Sequence, residues 1–422
     1  MKKGPPTIDD SIRAQYEAYP YPARDPAEEK RRLVVGSPSH LLEINHYVFG
    51  GRMDPKRPLR ALFAGGGTGD GTVMLAQQLA DKDWPAEIIY LDPSASALDV
   101  ARTRAEARGL QNIQFVQAAI SDLDELNLGR FDYIDCCGVL HHLIDPGAGL
   151  ERLVGALAEG GGVGIMVYGE LGRIGVYHIQ EILRLLTTPS LDDSSRIVMA
   201  RRLHEQLPES NWFKRNPYVR DHTDGGDAGL FDLCLHSQDR AYTVPQVFTL
   251  AEKAGLAITG FIEPARYQPH HYLTDPDLRR RVESLSWPRR CALAELVAGN
   301  LKTHVFYAVK KRRLESALAK PSGRKVVPIL RETDNKKLAG QLANAERIVA
   351  DFDGVTVYLP LPPLAAPLVR LIDGNRPMGD IHKSLAHNKG LRSWPNFLSE
   401  FRRLYDTLHG LNLMLLSHHP LR

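Results

Sequence analysis

The chain has 422 residues, too many for one typical domain and enough for two with sizeable cores. It has no apolar run of about 18 residues, which excludes a transmembrane helix. The opening Met1-Lys-Lys-Gly-Pro-Pro lacks the apolar stretch of a signal peptide. The net charge of +3 is unevenly spread: residues 311–422 carry 18 Lys and Arg against 10 Asp and Glu, a balance of +8, which leaves −5 for the rest. A basic tail region fits either a solvated surface or a docking site for nucleic acid or an acidic protein. The four cysteines (Cys136, Cys137, Cys234, Cys291) match no zinc spacing and read as reduced thiols of a cytoplasmic protein.

From Leu59 to Tyr168, strand and helix patterns alternate. The strands are Leu59–Phe63, Ala86–Leu91, Ile113–Ala119, Phe131–Cys137 and Val163–Tyr168. Ser94 caps a helix that runs to Arg108 and is closed by Gly109, and Asp145-Pro146 opens another that reaches about Ala158, with Gly160-Gly161-Gly162 after it. This alternation predicts a parallel, doubly wound α/β sheet. Residues 169–188 then read as helix and 189–242 as mixed structure. A helix over Val244–Lys253 and strands over Leu256–Ile262 and Thr303–Lys310 follow. Lys320-Pro-Ser-Gly-Arg-Lys325 has the composition of a linker, and beyond it the pattern is a helix, a short strand (Thr356–Leu359), three helices and an apolar end. The expected domains are an N-terminal segment (1–58), an α/β domain (59–315) with insertions at 169–242 and 263–302, and a basic C-terminal domain (326–422).

The most informative stretch is Ala64-Gly65-Gly66-Gly67-Thr68-Gly69, a strand turning through glycine into a helix. Such a turn aims backbone N–H groups at a ligand above it and lets that ligand approach the main chain. A phosphate loop needs a Lys after its second glycine, but Asp70-Gly71-Thr72 follows here. The dinucleotide fingerprint needs glycines at i, i+2 and i+5. Counting from Gly65 or from Gly67, the last position is Asp70 or Thr72, which disfavours a dehydrogenase. Asp70 suits a ligand with a cationic end. Asp92, ending the second strand, can accept the hydroxyls of a ribose.

The motifs Ala64–Gly69, Leu91-Asp92, Phe131-Asp-Tyr-Ile-Asp135 and Gly138-Val-Leu-His-His-Leu143 resemble, in order and each at a strand end, those of class I S-adenosylmethionine-dependent methyltransferases. The resemblance covers roughly residues 40–310. It implies a Rossmann-like seven-stranded sheet with helical insertions, S-adenosyl-L-methionine as cofactor and methyl transfer by in-line displacement. The cofactor-binding residues it implies are Ala64, Gly65, Gly66, Gly67, Gly69 and Asp70, then Asp92 and Pro93 at the ribose, Ile120 and Ser121 at the adenine, and Gly138 beside the sulfonium. One departure is Phe63, where many members carry an acid; Asp70 is the candidate to replace it as partner of the cofactor's amino group.

His141 and His142 are the candidate general bases or substrate contacts, set against an ordering role in their loop. Tyr19 and Tyr21, in Tyr16-Glu-Ala-Tyr19-Pro-Tyr21-Pro22, resemble an N-terminal lid, with a hydrophobic plug as the alternative. Tyr168, Arg173 and Tyr177 follow the fifth strand at the edge of the expected pocket, and Arg240 offers a partner for a substrate carboxylate or phosphate. No metal site is expected, His270-His271 included, since no carboxylate stands at ligand spacing. The C-terminal region suggests a small winged-helix-like α+β domain, with Leu371–Ile381 resembling a helix–turn–helix region. The acceptor is open: a small molecule, or a peptide, protein or RNA docked by that domain. A non-catalytic cofactor-binding regulator is the alternative of another class.

Overall fold

The computed structural model describes residues 8–188 and 191–421, so the Met1–Pro6 stretch lies outside the described residues. Seven strands form one sheet in the order β3-β2-β1-β4-β5-β7-β6. They are β1 (Leu59–Ala64), β2 (Ala86–Asp92), β3 (Ile113–Gln117), β4 (Phe131–Cys137), β5 (Leu157–Tyr168), β6 (Leu256–Phe261) and β7 (Thr303–Lys310). β7 runs antiparallel to both neighbours, and the strand pairs from β3 across to β5 are parallel. The period-two pleat sends Leu62 and Ala64 into one core, with Ile134, Ile165 and the helices Pro146–Ala156 and Val244–Lys253. Ala61 and Phe63 enter the other, with Tyr133, Tyr307 and the helices Leu41–Tyr47 and Asp70–Ala80.

The fifth strand starts earlier than the expected Val163 and takes in the glycine triplet: the preceding helix ends at Ala156 and β5 begins at Leu157. A Cβ at Gly161 would stand 2.8 Å from the Asp132 carbonyl oxygen and 2.9 Å from that of Phe131, so this glycine lets β5 lie close against β4, while a Cβ at Gly162 would meet Val48 and the Ala308 carbonyl instead. The segment after β5 breaks at Gly175 (φ +97°), leaving a short turn at Leu171–Arg173 before the helix Val176–Leu186.

The C-terminal region contains the strand expected at Thr356–Leu359, as β10 (Val355–Pro360), and three more that its sequence pattern hid. β8 (Val327–Leu330) pairs antiparallel with β11 (Met414–Ser417), and β9 (Arg347–Phe352) with β10. The helices Ala365–Arg370, Met378–Leu385 and Trp394–Gly410 pack a core of their own around Phe397 and Phe401. Val327, Ile329 and Leu415 join the core that holds Phe63 and Tyr133, so this region continues the sheet's packing. The β9–β10 turn reaches both insertions: Asp353 pairs with Arg266 (2.9 Å) and Lys302 (2.9 Å), and Gly354 meets the Tyr218 ring.

One buried carboxylate ties these parts together. Glu43 has no exposed surface; it accepts hydrogen bonds from Ser37 Oγ (2.6 Å), Tyr307 Oη (2.9 Å) and Asn412 Nδ2 (2.7 Å), and pairs with Arg331 at 3.1 Å. Removing one partner of a buried pair strands the other's charge. Glu43→Ala should therefore lower stability by about 3–5 kcal/mol in urea unfolding; a loss below about 1 kcal/mol would show that the contact is dispensable.

Candidate active site

A cavity of about 950 Å³ opens above the C-terminal ends of β1, β2 and β4, where open α/β sheets take their ligands. The glycine loop forms its floor. Gly65 (φ +81°) and Gly69 (φ +93°) hold left-handed conformations, and a Cβ on Gly69 would stand 2.8 Å from that of Ala101. Asp92 accepts from Gly67 N–H (2.9 Å) and Ser94 N–H (2.9 Å), so it shapes the loop as well as facing the cavity, and burial raises its pKa. Gly65, Gly66, Gly67, Gly69, Asp70 and Pro93 line the space; so do Ile120, Ser121 and Gly138. Ala64 does not, being wholly buried in the core below.

The N-terminal segment lies across this floor. Thr68 Oγ1 donates to the Pro22 carbonyl (2.8 Å), Ser94 Oγ to Glu17 (3.1 Å), and Arg24 pairs with Asp70 (2.6 Å). Arg104 adds a second cation to Asp70 at 2.7 Å while also bonding Glu29. Arg24 and Arg104 together keep the Asp70 carboxyl below its ordinary range despite burial. Its charge is already balanced by protein groups, which corrects the expectation that it awaits the cofactor's amino group.

At the other end stand Tyr16, Tyr21, His142, Tyr168 and Asp232. Asp232, 4% exposed, belongs to a π-helical turn, Phe231–Leu235, in the first insertion. It accepts from Tyr16 Oη (3.0 Å) and Tyr168 Oη (3.0 Å). The Tyr21 hydroxyl donates to Asp221 at 3.4 Å. Gln238 sets two tautomers. Its carbonyl lies 3.0 Å from His142 Nδ1, so Nδ1 carries the proton and the Nε2 lone pair of the neutral ring is left free. Its N–H donates to His236 Nδ1 (3.0 Å), so His236 donates from Nε2 to Tyr16 Oη (3.2 Å). His142, Asp232 and His236 bring possible ligand atoms within 4.8 Å of one another. With both nitrogens of His236 engaged, that ring has no free lone pair for a metal ion.

The remaining predicted residues sit elsewhere. His141 is fully buried outside the cavity lining, neither ring nitrogen has a hydrogen-bond partner, and burial drives its pKa well down. This environment suits a neutral packing residue against Tyr168, not a base. Tyr19 stacks on Phe231 (5.0 Å), whereas Tyr21 faces the cavity. Arg173 and Tyr177 both bond Asp239 (3.2 Å each), with Arg173 3.6 Å above the Tyr168 ring, so they buttress the wall from behind. Arg240 is exposed, bonds the Ile144 carbonyl (3.2 Å) and does not reach the cavity. Tyr16, Asp232 and His236 were missed by the sequence reading. The signal for Asp232 was present: it is the one charge in Leu230-Phe-Asp-Leu-Cys-Leu235.

Comparison with known proteins agrees with this architecture. Residues 62–163 match the model of a methyltransferase domain. An uncharacterised protein of Synechococcus sp. is 33% identical over 307 residues, 72% of each chain. A ubiquinone biosynthesis O-methyltransferase of Acinetobacter baylyi is 27% identical over 95 residues, which span 22% of this chain and 39% of that one. Among solved structures, PKMT2 from Rickettsia typhi aligns with a TM-score of 0.59 at 16% identity, covering 95% of this chain and 75% of that one. The same protein in complex with AdoHcy aligns equally well, with a TM-score of 0.59 at 15% identity. The chain belongs to the class I S-adenosylmethionine-dependent methyltransferases. It is a methyltransferase enzyme whose cofactor is S-adenosyl-L-methionine.

One cavity carboxylate is electrostatically uncompensated. Asp135 on β4 is 4% exposed, and burial pushes its pKa up to about 6. A carboxyl raised in the fold contributes stability that is full below its unfolded value of 3.8 and is lost as pH rises through about 6. Between pH 4 and 7.5, wild type should therefore lose about 2–3 kcal/mol relative to Asp135→Asn, measured by urea unfolding. Equal pH profiles for the two proteins would refute the assignment.

Proposed function

We propose that the chain transfers the methyl group of S-adenosylmethionine to an amine nitrogen, with His142 as general base. The glycine loop, Asp92, Pro93, Ile120, Ser121 and Gly138 would hold the cofactor along the strand ends. The acceptor would enter between Tyr16, Tyr21 and Tyr168. The carrying observation is the charge there. Asp232 is hydrogen-bonded by tyrosine hydroxyls, as Asp221 is by Tyr21, and neither has an ion pair among the described residues. The nearby cation, Arg173, is paired with Asp239. A buried anion walled by aromatic rings, as Asp232 is, is complementary to a cation, and the half-buried Asp221 adds negative charge behind Tyr21.

An amine enters protonated and is then no nucleophile. Transfer of its proton to His142 Nε2 frees the nitrogen lone pair. The N–C bond forms as the S–C bond breaks, the electron pair goes to sulfur, and the products are an N-methylammonium and a neutral thioether. Alignment and exclusion of water by the N-terminal segment supply the rest of the catalysis. A phenol acceptor is the second reading. A free imidazole lone pair serves a hydroxyl proton as well, and the matching relatives include ubiquinone biosynthesis O-methyltransferases. The unpaired thiols fit a reducing cytoplasmic setting.

The test is labelled-methyl transfer to amine and phenol panels and to fractionated extract, with mass spectrometry of the methylated atom. The expected product is N-methylated, and an O-methyl product selects the second reading. His142→Gln should lower kcat by about 10²–10⁴ with cofactor affinity within twofold. His141→Gln should instead act through stability. Unchanged turnover in His142→Gln would remove the base.

A further inference from the structure

Asp135 stands in register with Phe63, on the adjacent parallel strands β4 and β1. Register partners point to the same face of a sheet. Its carboxylate therefore lies beside the ring that occupies the place of the missing acid, and both residues line the cavity. Its protein partners are the Ser39 hydroxyl at Oδ2 and the Cys137 N–H at Oδ1 (3.2 Å). No Lys, Arg or His pairs with it among the described residues. A carboxylate has about four acceptor sites, so capacity remains on the cavity side. A buried carboxylate without a countercharge is costly unless a ligand supplies one.

The other cavity acids do not compete for that role. Asp70 is held between Arg24 and Arg104. Asp92 ends β2, where a ribose is read, and is tied to the loop through Gly67 and Ser94. With the ribose at Asp92 on β2 and the adenine towards β3, the amino-acid end of the cofactor would reach β1 and β4, given the strand order β3-β2-β1-β4.

We propose that Asp135 is the counterion of the cofactor's α-ammonium group, moved one strand across the sheet from the position Phe63 occupies. Ser39 orients the carboxylate and is itself fixed: its N–H donates to Tyr307 Oη (2.9 Å), and its hydroxyl meets Tyr133 Oη (2.9 Å). The ammonium, with three donors, would fill the remaining acceptor sites. This rests on the cofactor lying in the cavity above the glycine loop.

The experiment is calorimetric titration of the full chain with S-adenosylhomocysteine and with its desamino analogue. Wild type should bind the desamino compound about 30-fold more weakly, the worth of a hydrogen bond to a charged group. Asp135→Asn, nearly isosteric, should bind S-adenosylhomocysteine about 30-fold more weakly and no longer separate the two ligands. Asp70→Asn should retain the discrimination. Asp92→Ala should weaken both ligands alike; no effect there would overturn the cavity reading itself. With Asp92→Ala weakened, retained discrimination in Asp135→Asn would overturn this proposal alone. If Asp135→Asn fails to fold, the wild-type comparison decides, and a difference below about threefold is too small for a charged hydrogen bond and refutes the pairing.

Discussion

The carboxylate of Glu43 is the constraint on which the assembly turns. A charge with no access to water must find its partners within the protein. Glu43 finds them in three separate parts of the chain: Ser37 in the N-terminal segment, Tyr307 on β7, and Arg331 with Asn412 in the C-terminal region. The same tyrosine hydroxyl receives Ser39 N–H, and Ser39 reaches Asp135 at the cavity. A continuous buried polar chain thus runs from the C-terminal region to the cavity. Partly satisfied networks of this kind cost more than apolar packing, so the N-terminal segment, the sheet and the C-terminal strands must settle together. The imidazole of His46 reinforces the joint, accepting Leu416 N–H at 3.0 Å, while burial keeps the ring neutral.

The first insertion builds the far end of the cavity in the same way. Its π-helical turn adds a residue to the helix path and rotates Asp232 into the tyrosines of two other elements; π-turns recur where geometry of this kind is required. Tyr16 comes from the N-terminal segment and Tyr168 from the end of β5, so one carboxylate closes the segment onto the sheet. Asp239 repeats the device one layer back, taking Arg173, Tyr177 and Gln180. The outer layer sets the wall, and the inner one is left with unbalanced charge for a ligand.

The parts legible in the sequence were those governed by local rules. The alternation of strand and helix, the Ser94 and Asp145 caps and the glycine loop all follow from near neighbours, and each stands where its pattern placed it. The parts not legible depend on distant partners. Gly160–Gly162 has a loop-like composition yet lies within a strand, where Gly161 meets the β4 backbone and Gly162 meets Val48 and β7. β8 and β11 are four residues each and gain meaning only by pairing across some 80 positions of chain. Asp70 reads locally as a free acid at a helix start, and only the fold brings Arg24 and Arg104 to it.

A physical regularity links the residues that local reading passed over. Glu43, Asp135 and Asp232 each interrupt an apolar run: Leu41-Leu-Glu-Ile44, Tyr133-Ile-Asp-Cys-Cys137 and Leu230-Phe-Asp-Leu-Cys-Leu235. An acid inside such a run is carried into the interior by its neighbours, and the burial of those neighbours offsets its desolvation. It persists only if something there compensates it. For Glu43 the compensation is internal, an arginine with three further donors. For Asp135 and Asp232 the described residues supply hydroxyls and an N–H but no paired cation. The two acids left short of positive charge both line the cavity of an enzyme whose cofactor carries an ammonium and a sulfonium. Glu43 is thus fully engaged by protein groups, whereas Asp135 and Asp232 keep their negative charge towards the cavity.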